Sequence, residues 1–180
     1  MENGEIIKKI IDLNLNNLIE FNGNILPQKI ELEMADPNQD NSEEWKTWFP
    51  VASTVTDDEI EELQNQIGCE FPEDYKMFLK YKHFYELHIS EASFFEHPIN
   101  SWKMSLVEKI FHEHLKDDLI DNGLIPFAMW EDWGYLCFDT NRNNGDNNYP
   151  VVLWDHEFPD QVNDKYEDFY DFIKRSSIEE

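Results

Sequence analysis

The spacing of hydrophobic residues predicts that the chain begins with an amphipathic helix and continues into a short strand. Apolar residues recur every three or four positions across residues 6–19, and Asn22 and Gly23 end the pattern. Across residues 30–34, apolar and charged residues alternate, which is typical of a half-buried strand. Residues 35–44 offer little to bury, so we expect an exposed loop there.

Two more helices follow this loop and are joined by a short turn. Thr56 precedes three acidic residues, and its hydroxyl can form a capping box with Glu59 at a helix N-terminus. Gly68 favours the end of this helix, and Pro72 suits the first turn of the next one. Both segments carry apolar residues at helical spacing, so each has one face to bury.

The second half of the chain alternates strands with helical segments. Helical spacing returns at residues 106–115 and at the C-terminus, where Phe169, Phe172 and Ile173 share one face. Strands are predicted at residues 87–95, 124–129, 134–138 and 149–154. Residues 140–148 are rich in Asn and Gly, which favours a hairpin between the last two strands. We therefore predict an α+β fold with a mainly antiparallel sheet flanked by helices, rather than a doubly wound parallel sheet.

The exposed loop marks the expected boundary in the chain. We assign residues 1–44 to an N-terminal extension of helix, short strand and loop, and residues 45–180 to the main domain. With 180 residues, of which 41% are hydrophobic, the chain is long and apolar enough to bury a core. Cys69 and Cys137 are far apart and have apolar neighbours, so we expect two buried free thiols.

The chain is strongly acidic, with a formal net charge of −25. Arg142 and Arg175 are its only arginines, so we do not expect direct binding to nucleic acid. An acidic surface attracts a basic protein partner, but it also simply keeps a protein soluble, and composition leaves both interpretations open. Because no apolar run reaches the roughly 20 residues that span a bilayer and no signal peptide is recognisable, we expect a cytoplasmic protein without membrane contact.

Several short motifs follow one another in a definite order along the chain. Their residues are Trp48, Pro50, Val55, Thr56, Glu59, Ile60, Leu63, Gly68, Phe71, Pro72, Tyr75, Phe78, Leu79, Ile125–Ala128, Gly134, Cys137–Asp139, Tyr149–His156, Phe169 and Phe172. Together these motifs resemble the SUKH superfamily, which includes the fungal Smi and Knr cell-wall regulators and many bacterial immunity proteins. The resemblance covers about residues 45–175, and Lys82–Tyr85 stand where members usually have an Asn-Gly turn.

This resemblance implies a binding protein and not an enzyme. Bacterial members typically neutralise a toxin domain, frequently a nuclease, by direct contact. A nuclease carries a basic groove for its phosphate substrate, and an acidic protein surface can occupy that groove after fast electrostatic association. The resemblance also leaves open an intracellular regulatory scaffold of the Smi/Knr type without a toxin partner.

Two acidic, aromatic runs are the candidate partner-binding residues. Pairing Asp139 with Tyr149 across the hairpin would set Gly134 opposite Trp154 and bring the two runs to the same end of the sheet. Aromatic residues surrounded by carboxylates suit contact with Lys and Arg. The alternative is that the tryptophans are core residues and the carboxylates form an ordinary solvated turn. The candidates are Trp130, Glu131, Asp132, Trp133, Asp155, His156 and Glu157.

No catalytic, cofactor or metal site is expected. His112 and His114 are two residues apart on a predicted helix, so their rings point in different directions, and a zinc-protease motif would need a histidine where the chain has Lys116. Asp155 and His156 could act as an acid and a base, but no activated nucleophile accompanies them.

Overall fold

A six-stranded antiparallel sheet with helices on both faces forms the centre of the fold. The computed structural model describes residues 2–40, 42–111, 113–143 and 147–176, without the side chains of Glu2, Glu113 and His114. The helices are α1 (Glu2–Glu20), α2 (Asp57–Ile67), α3 (Glu73–Leu79), α4 (Trp102–Ile110), α5 (Glu113–Asp118) and α6 (Phe169–Ser176). The strands are β1 (Ile25–Leu26), β2 (Lys46–Thr47), β3 (Val51–Ala52), β4 (Lys82–His83), β5 (His88–Ile89), β6 (Ala92–Phe94), β7 (Leu124–Trp130), β8 (Gly134–Asp139), β9 (Val151–Asp155) and β10 (Val162–Tyr166).

The order of strands across the main sheet is β10-β9-β8-β7-β6-β5, and every neighbouring pair is antiparallel. Two short antiparallel ribbons, β1–β2 and β3–β4, lie outside this sheet. The predicted α+β fold with a mainly antiparallel sheet and flanking helices is therefore confirmed.

Aromatic rings fill the main core between the sheet and the helices α3 and α6. Phe127 and Phe138 stack with their ring centroids 4.5 Å apart. Phe169 packs edge-on against Phe127, at 5.5 Å, and against Tyr75, at 5.2 Å. Such edge-to-face contacts add to the free energy gained from burying the rings. On the opposite sheet face, a smaller cluster forms between the α5 region and the strands, from Leu115, Leu119, Leu124, Cys137, Val152 and Trp154.

Helix α1 packs into the same main core and contacts α3, α6 and β5. Ile7, Ile11 and Leu15, spaced by four residues, are each at most 2% exposed. After α1, β1 pairs with β2, which joins residues on the two sides of the predicted boundary at residue 44. The division into residues 1–44 and 45–180 stays a prediction.

The start of α2 has the predicted capping box. The Thr56 hydroxyl accepts a hydrogen bond from the Glu59 amide (3.3 Å), and the Glu59 carboxylate accepts one from the Thr56 amide (2.9 Å). Gly68 ends the helix with a φ of 80°, which glycine adopts without steric cost. These contacts satisfy backbone groups that a helix end leaves unpaired.

Replacing Thr56 by Ala should lower the free energy of unfolding by about 1 kcal/mol, because the Glu59 amide loses its acceptor at the helix start. Urea unfolding of Thr56→Ala measures this effect. Thr56→Ser is the matched control, since serine keeps the capping hydroxyl. Equal stability of the alanine and wild-type proteins would mean that the cap contributes nothing.

The strand predicted at residues 30–34 is wrong. The amides of Met34 and Ala35 both donate to the Glu31 carbonyl, at 2.9 and 3.0 Å, so the segment forms a turn. Ile30 and Met34 are buried, four residues apart, whereas Leu32 between them is 83% exposed. The two-residue alternation therefore came from a turn that buries only its ends.

Two other segments are divided where a single element was predicted. Residues 87–95 form the tight hairpin β5–β6, in which Ser90 has a φ of 54°. The helix predicted at residues 106–115 is interrupted after Ile110, so α4 and α5 are separate helices. Both cysteines are free thiols as predicted, but only Cys137 is buried, and Cys69 is partly exposed.

Candidate partner-binding site

The two acidic, aromatic runs lie at the same end of the main sheet. Residues 131–133 form the turn between β7 and β8, and residues 155–157 include the end of β9 and the turn that follows. The His156 amide donates a hydrogen bond to the Trp133 carbonyl (3.2 Å), which joins the two segments. We call the accessible part of this group the acidic end surface; it consists of Glu131, Asp132, Trp133, Asp155, His156 and Glu157.

Trp130 is a core residue and not part of this accessible group. Its residue surface is only 4% exposed, and its ring belongs to the main core. The Lys165 ammonium lies 4.8 Å from the centroid of the Trp130 ring, a distance typical of a cation–π contact. For Trp130 the structure therefore favours the alternative of a core tryptophan, because a partner has almost no access to the indole.

The register between β8 and β9 differs by one residue from the prediction. Gly134 lies opposite Asp155, not Trp154, and Trp154 lies opposite Tyr135. The observed register places Val151 opposite Phe138 and Leu153 opposite Leu136, all within the main core. Strand β9 is apolar on both faces, so its hydrophobic pattern could not select between the two registers.

The two turns hold their backbones in place with local hydrogen bonds. Glu131 adopts a φ of 47°, and its amide donates to the Glu91 carbonyl (3.0 Å). The Trp133 indole N–H donates to the Glu131 carboxylate, which fixes this partly buried ring at the surface. In the second turn, the Asp155 carboxylate accepts a hydrogen bond from the Glu157 amide (2.8 Å). The acidic end surface is thus preorganised, which lowers the entropy that a binding partner would have to remove.

Gly134 allows the two segments to approach each other closely. A Cβ atom built on Gly134 would lie 2.5 Å from the carbonyl oxygen of Trp154 and 3.1 Å from a methyl group of Leu153. Any larger residue would push β8 away from β9 at the end where the acidic end surface lies.

The acidic end surface can recognise positive charge. Four of its six residues carry a carboxylate, and Glu131, Asp132 and Glu157 are exposed. The nearby cation of Lys165 is placed over the Trp130 ring instead of pairing with these groups. A partly buried aromatic ring beside exposed carboxylates matches the side chains of Arg and Lys, which combine an apolar stem with a charged end. Partner contact by these residues stays a prediction.

The described residues give little support for a metal site or for a reactive cysteine. Within them, no group of three or more His, Cys, Asp or Glu side chains is arranged to hold a metal ion. The predicted absence of a site at His112 and His114 concerns side chains outside the described part. Cys137 is fully buried, and burial raises the pKa of its thiol, which disfavours the reactive thiolate.

Strand β10 is the functional candidate that the sequence pattern did not reveal. It was missed because only Val162 and Tyr166 are apolar, and four of its five residues are exposed. The turn before it also exposes Phe158, which is 55% accessible. Both features lie directly beside the acidic end surface, since Val162 pairs with Trp154 near the end of β9.

Comparison with known proteins finds a protein family that matches most of the chain. The family model described as SMI1-KNR4 cell-wall, one of the SUKH group, matches residues 33–178. No curated protein matches the chain. Among the described residues, no helix is long and apolar enough to cross a membrane.

Proposed function

The chain belongs to the SMI1-KNR4 family of the SUKH superfamily, and we propose that it is an immunity protein that binds and neutralises a toxin domain. The observation that carries this proposal is the acidic end surface, where the Glu131 carboxylate holds the partly buried ring of Trp133 and three more carboxylates lie in the same two turns. A family that includes immunity proteins supplies the biological role, and the charge supplies the chemistry of the partner.

The proposed target is a basic site on the toxin, such as the phosphate-binding groove of a nuclease. The chain's net charge of −25 attracts such a site from a distance, and the acidic end surface then competes with the phosphate substrate. This role needs no cofactor and no catalytic step, so we propose a binding protein and not an enzyme. Neutralisation would take place in the cytoplasm, where a nuclease finds its substrate.

A regulatory scaffold is the second candidate function. It is favoured by the description of the matching family, SMI1-KNR4 cell-wall, which refers to the cell wall. A scaffold would bind host proteins through the same kind of surface without protecting against a toxin. Deleting the gene in a strain that lacks toxins separates the two, because only a scaffold predicts a growth or cell-wall phenotype there.

The direct test is co-expression with the C-terminal domain of a large secreted protein encoded beside this gene. Restored growth together with a stoichiometric complex would support immunity. Growth arrest despite co-expression, with no complex on co-purification, would contradict it for that toxin and favour the scaffold.

Charge removal on the acidic end surface should slow association with the toxin domain by about tenfold at low salt. The variant combines Glu131→Gln, Asp132→Asn and Glu157→Gln, which keeps the acceptor for Trp133 and leaves Asp155 in its turn. Stopped-flow or biosensor association rates at low and physiological salt measure the effect.

The matched control removes the same number of charges elsewhere on the exposed surface, at Glu43, Glu44 and Glu61. We expect it to change the association rate much less. Equal slowing by both variants would mean that the overall charge steers binding and that the acidic end surface is not the contact.

A further inference from the structure

We propose that the partner adds an extended, basic strand to the outer edge of β10, so that the main sheet continues into the partner. This inference rests on the proposed function, because the strand would belong to the protein that contacts the acidic end surface. The mode of binding would be main-chain pairing between strands, which charge attraction alone does not require.

Strand β10 is the last strand of the main sheet and pairs on one side with β9. Its burial pattern is that of a strand left open to solvent, with Val162, Asn163, Asp164 and Lys165 all exposed. An edge strand in this position presents a row of main-chain donors and acceptors to any other extended chain.

The hydrogen bonds between β8 and β9 show which residues of β10 face outward. The Asp139 amide donates to the Pro150 carbonyl (3.1 Å), and the His156 amide donates to the Trp133 carbonyl (3.2 Å). In an antiparallel ladder, hydrogen-bonded pairs alternate with pairs that are not hydrogen bonded. The main-chain groups of Leu153 therefore point away from β8 and toward β10.

Leu153 lies opposite Asn163, so the main-chain groups of Asn163 point inward to β9. The N–H and C=O groups of its neighbours Val162 and Asp164 consequently point away from the sheet. These two residues supply two donors and two acceptors at the spacing of a strand, directly beside the acidic end surface.

Charge determines which strand fits this edge. Glu157, Asp160, Asp164 and Glu167 lie in β10 or within five residues of it. Arg142 pairs with Asp164 (2.6 Å) and leaves the other three carboxylates to attract a partner. A second copy of this chain would bring like charges together. A strand rich in Lys or Arg would meet opposite charge instead.

A groove on the α5 face of the sheet reaches β10 at Val162, where it can receive a side chain of such a strand. Its volume is about 310 Å³. Leu124, Pro159 and Val162 line it with apolar surface. Asp118 and Asp160 contribute its open carboxylates, whereas the carboxylate of Asp139 already accepts a hydrogen bond from Arg142. The methylene stem of a Lys or Arg residue can lie along the apolar lining while its charged end meets the carboxylates.

The first test uses a synthetic peptide of alternating Lys and Val, about eight residues long, and titration calorimetry with the full chain. The control peptide has the same sequence, but N-methyl groups block the amides along one edge. We expect the control to bind at least tenfold more weakly, because it keeps the charge and loses the main-chain donors. Equal affinity for both peptides, or no measurable binding of the unmodified one, would overturn the proposal.

The second test changes the protein. Val162→Pro removes an outward-pointing N–H and leaves the hydrogen bonds of Asn163 to β9, and Val162→Thr is the control that keeps the N–H. We expect the proline variant, checked for an unchanged circular dichroism spectrum, to bind the unmodified peptide at least tenfold more weakly than the threonine variant. Equal binding by the two variants would contradict strand addition. If Val162→Pro does not fold, the two-peptide comparison on the wild-type chain decides the question.

The toxin domain separates failure of this inference from failure of the proposed function. If Val162→Pro still forms the toxin complex with wild-type affinity, strand addition is wrong while immunity stands. If the wild-type chain protects against no toxin but still prefers the unmodified peptide, the edge binds basic strands and the immunity role is wrong. The wild-type chain alone could sediment as a dimer and the Val162→Pro variant as a monomer. That result would assign the edge to self-association and overturn the proposal.

Discussion

Lowering the pH from 7 to 5 should reduce the free energy of unfolding by about 2 kcal/mol through His97 alone, since its pKa falls to about 3 in the folded chain. His97 is 3% exposed and His83 is fully buried. Burial is the main cause of the lowered pKa of both rings, because it removes the water that stabilises a charged imidazolium.

Hydrogen bonds explain why neither ring accepts a second proton easily. The Thr54 amide donates to His83 Nε2 (2.9 Å), so the proton of neutral His83 is on Nδ1. That Nδ1 lies 3.1 Å from His97 Nδ1 and 3.1 Å from the His97 carbonyl. Protonating His83 would break the bond from Thr54, and protonating His97 at Nδ1 would place two N–H groups against each other. In both cases a charge would be buried next to a donor.

The direction of the pH effect follows from the lowered pKa values. The unfolded chain binds a proton at each histidine near pH 6.5, whereas the folded chain resists it. The stabilisation is complete above pH 6.5 and is lost as the pH falls toward the folded pKa. The carboxylates of Glu31 and Glu59 favour a charged His83, but burial has the larger effect. Burial raises the pKa of partly buried Glu86, so its protonation stabilises the folded chain as the pH falls. This contribution opposes that of the histidines and is the same in wild type and in the histidine variants.

Urea unfolding at pH 7 and pH 5 tests this prediction in three proteins. His97→Asn should be less stable than wild type at pH 7, but it should lose about 2 kcal/mol less on acidification. His156→Asn, at an exposed position, should keep the wild-type loss. The same loss of stability in His97→Asn and wild type would show that His97 does not cause the acid sensitivity.

The contact between the two histidines could not be predicted from the sequence. His83 and His97 are 14 positions apart, and neither has neighbours that form a chemical motif. They meet because the main chains of His97 and of Phe84, the residue after His83, exchange hydrogen bonds. Such a contact depends on tertiary pairing, which no local pattern contains.

Elements with strong local signals could be predicted well. Helix α2 combines a capping box, helical spacing and a glycine in the left-handed region, all within about one dozen residues, and its prediction is confirmed. Strands β7 and β8 were predicted to within one residue at each end, because long apolar runs lie between turn residues. Strand β10 was missed because an edge strand exposed to solvent needs few apolar residues.

The candidate site could be predicted in its location but not in its orientation. The hairpin loop correctly indicated that residues 131–133 and 155–157 would meet at one end of the sheet. The one-residue difference in register arose because Val151–Trp154 are apolar on both faces, so burial alone permits either pairing. Trp130 and Trp133 also look alike in sequence, because both stand next to the acidic pair Glu131 and Asp132, although Trp130 is buried and Trp133 reaches the surface.

Replacing Ile11 in α1 by Ala should cost about 2 to 5 kcal/mol of unfolding free energy, the range for buried Ile-to-Ala changes. Ile11 is 1% exposed, and α1 packs against α3 and α6 in the main core. Leu13 on the same helix is 43% exposed, so Leu13→Ala is a control that should change stability by no more than about 0.5 kcal/mol. Urea unfolding of both variants measures the difference.

This experiment decides whether residues 1–44 are an extension or part of the domain. The family model begins at residue 33, so α1 lies outside the matched segment although its apolar face is buried in the shared core. If Ile11→Ala costs several kcal/mol in one cooperative transition, residues 45–180 expressed alone should not fold stably, because α3 and α6 would expose the surface that α1 covers. If Ile11→Ala changes stability no more than Leu13→Ala does and residues 45–180 unfold cooperatively on their own, the boundary at residue 44 is correct and α1 is an added helix.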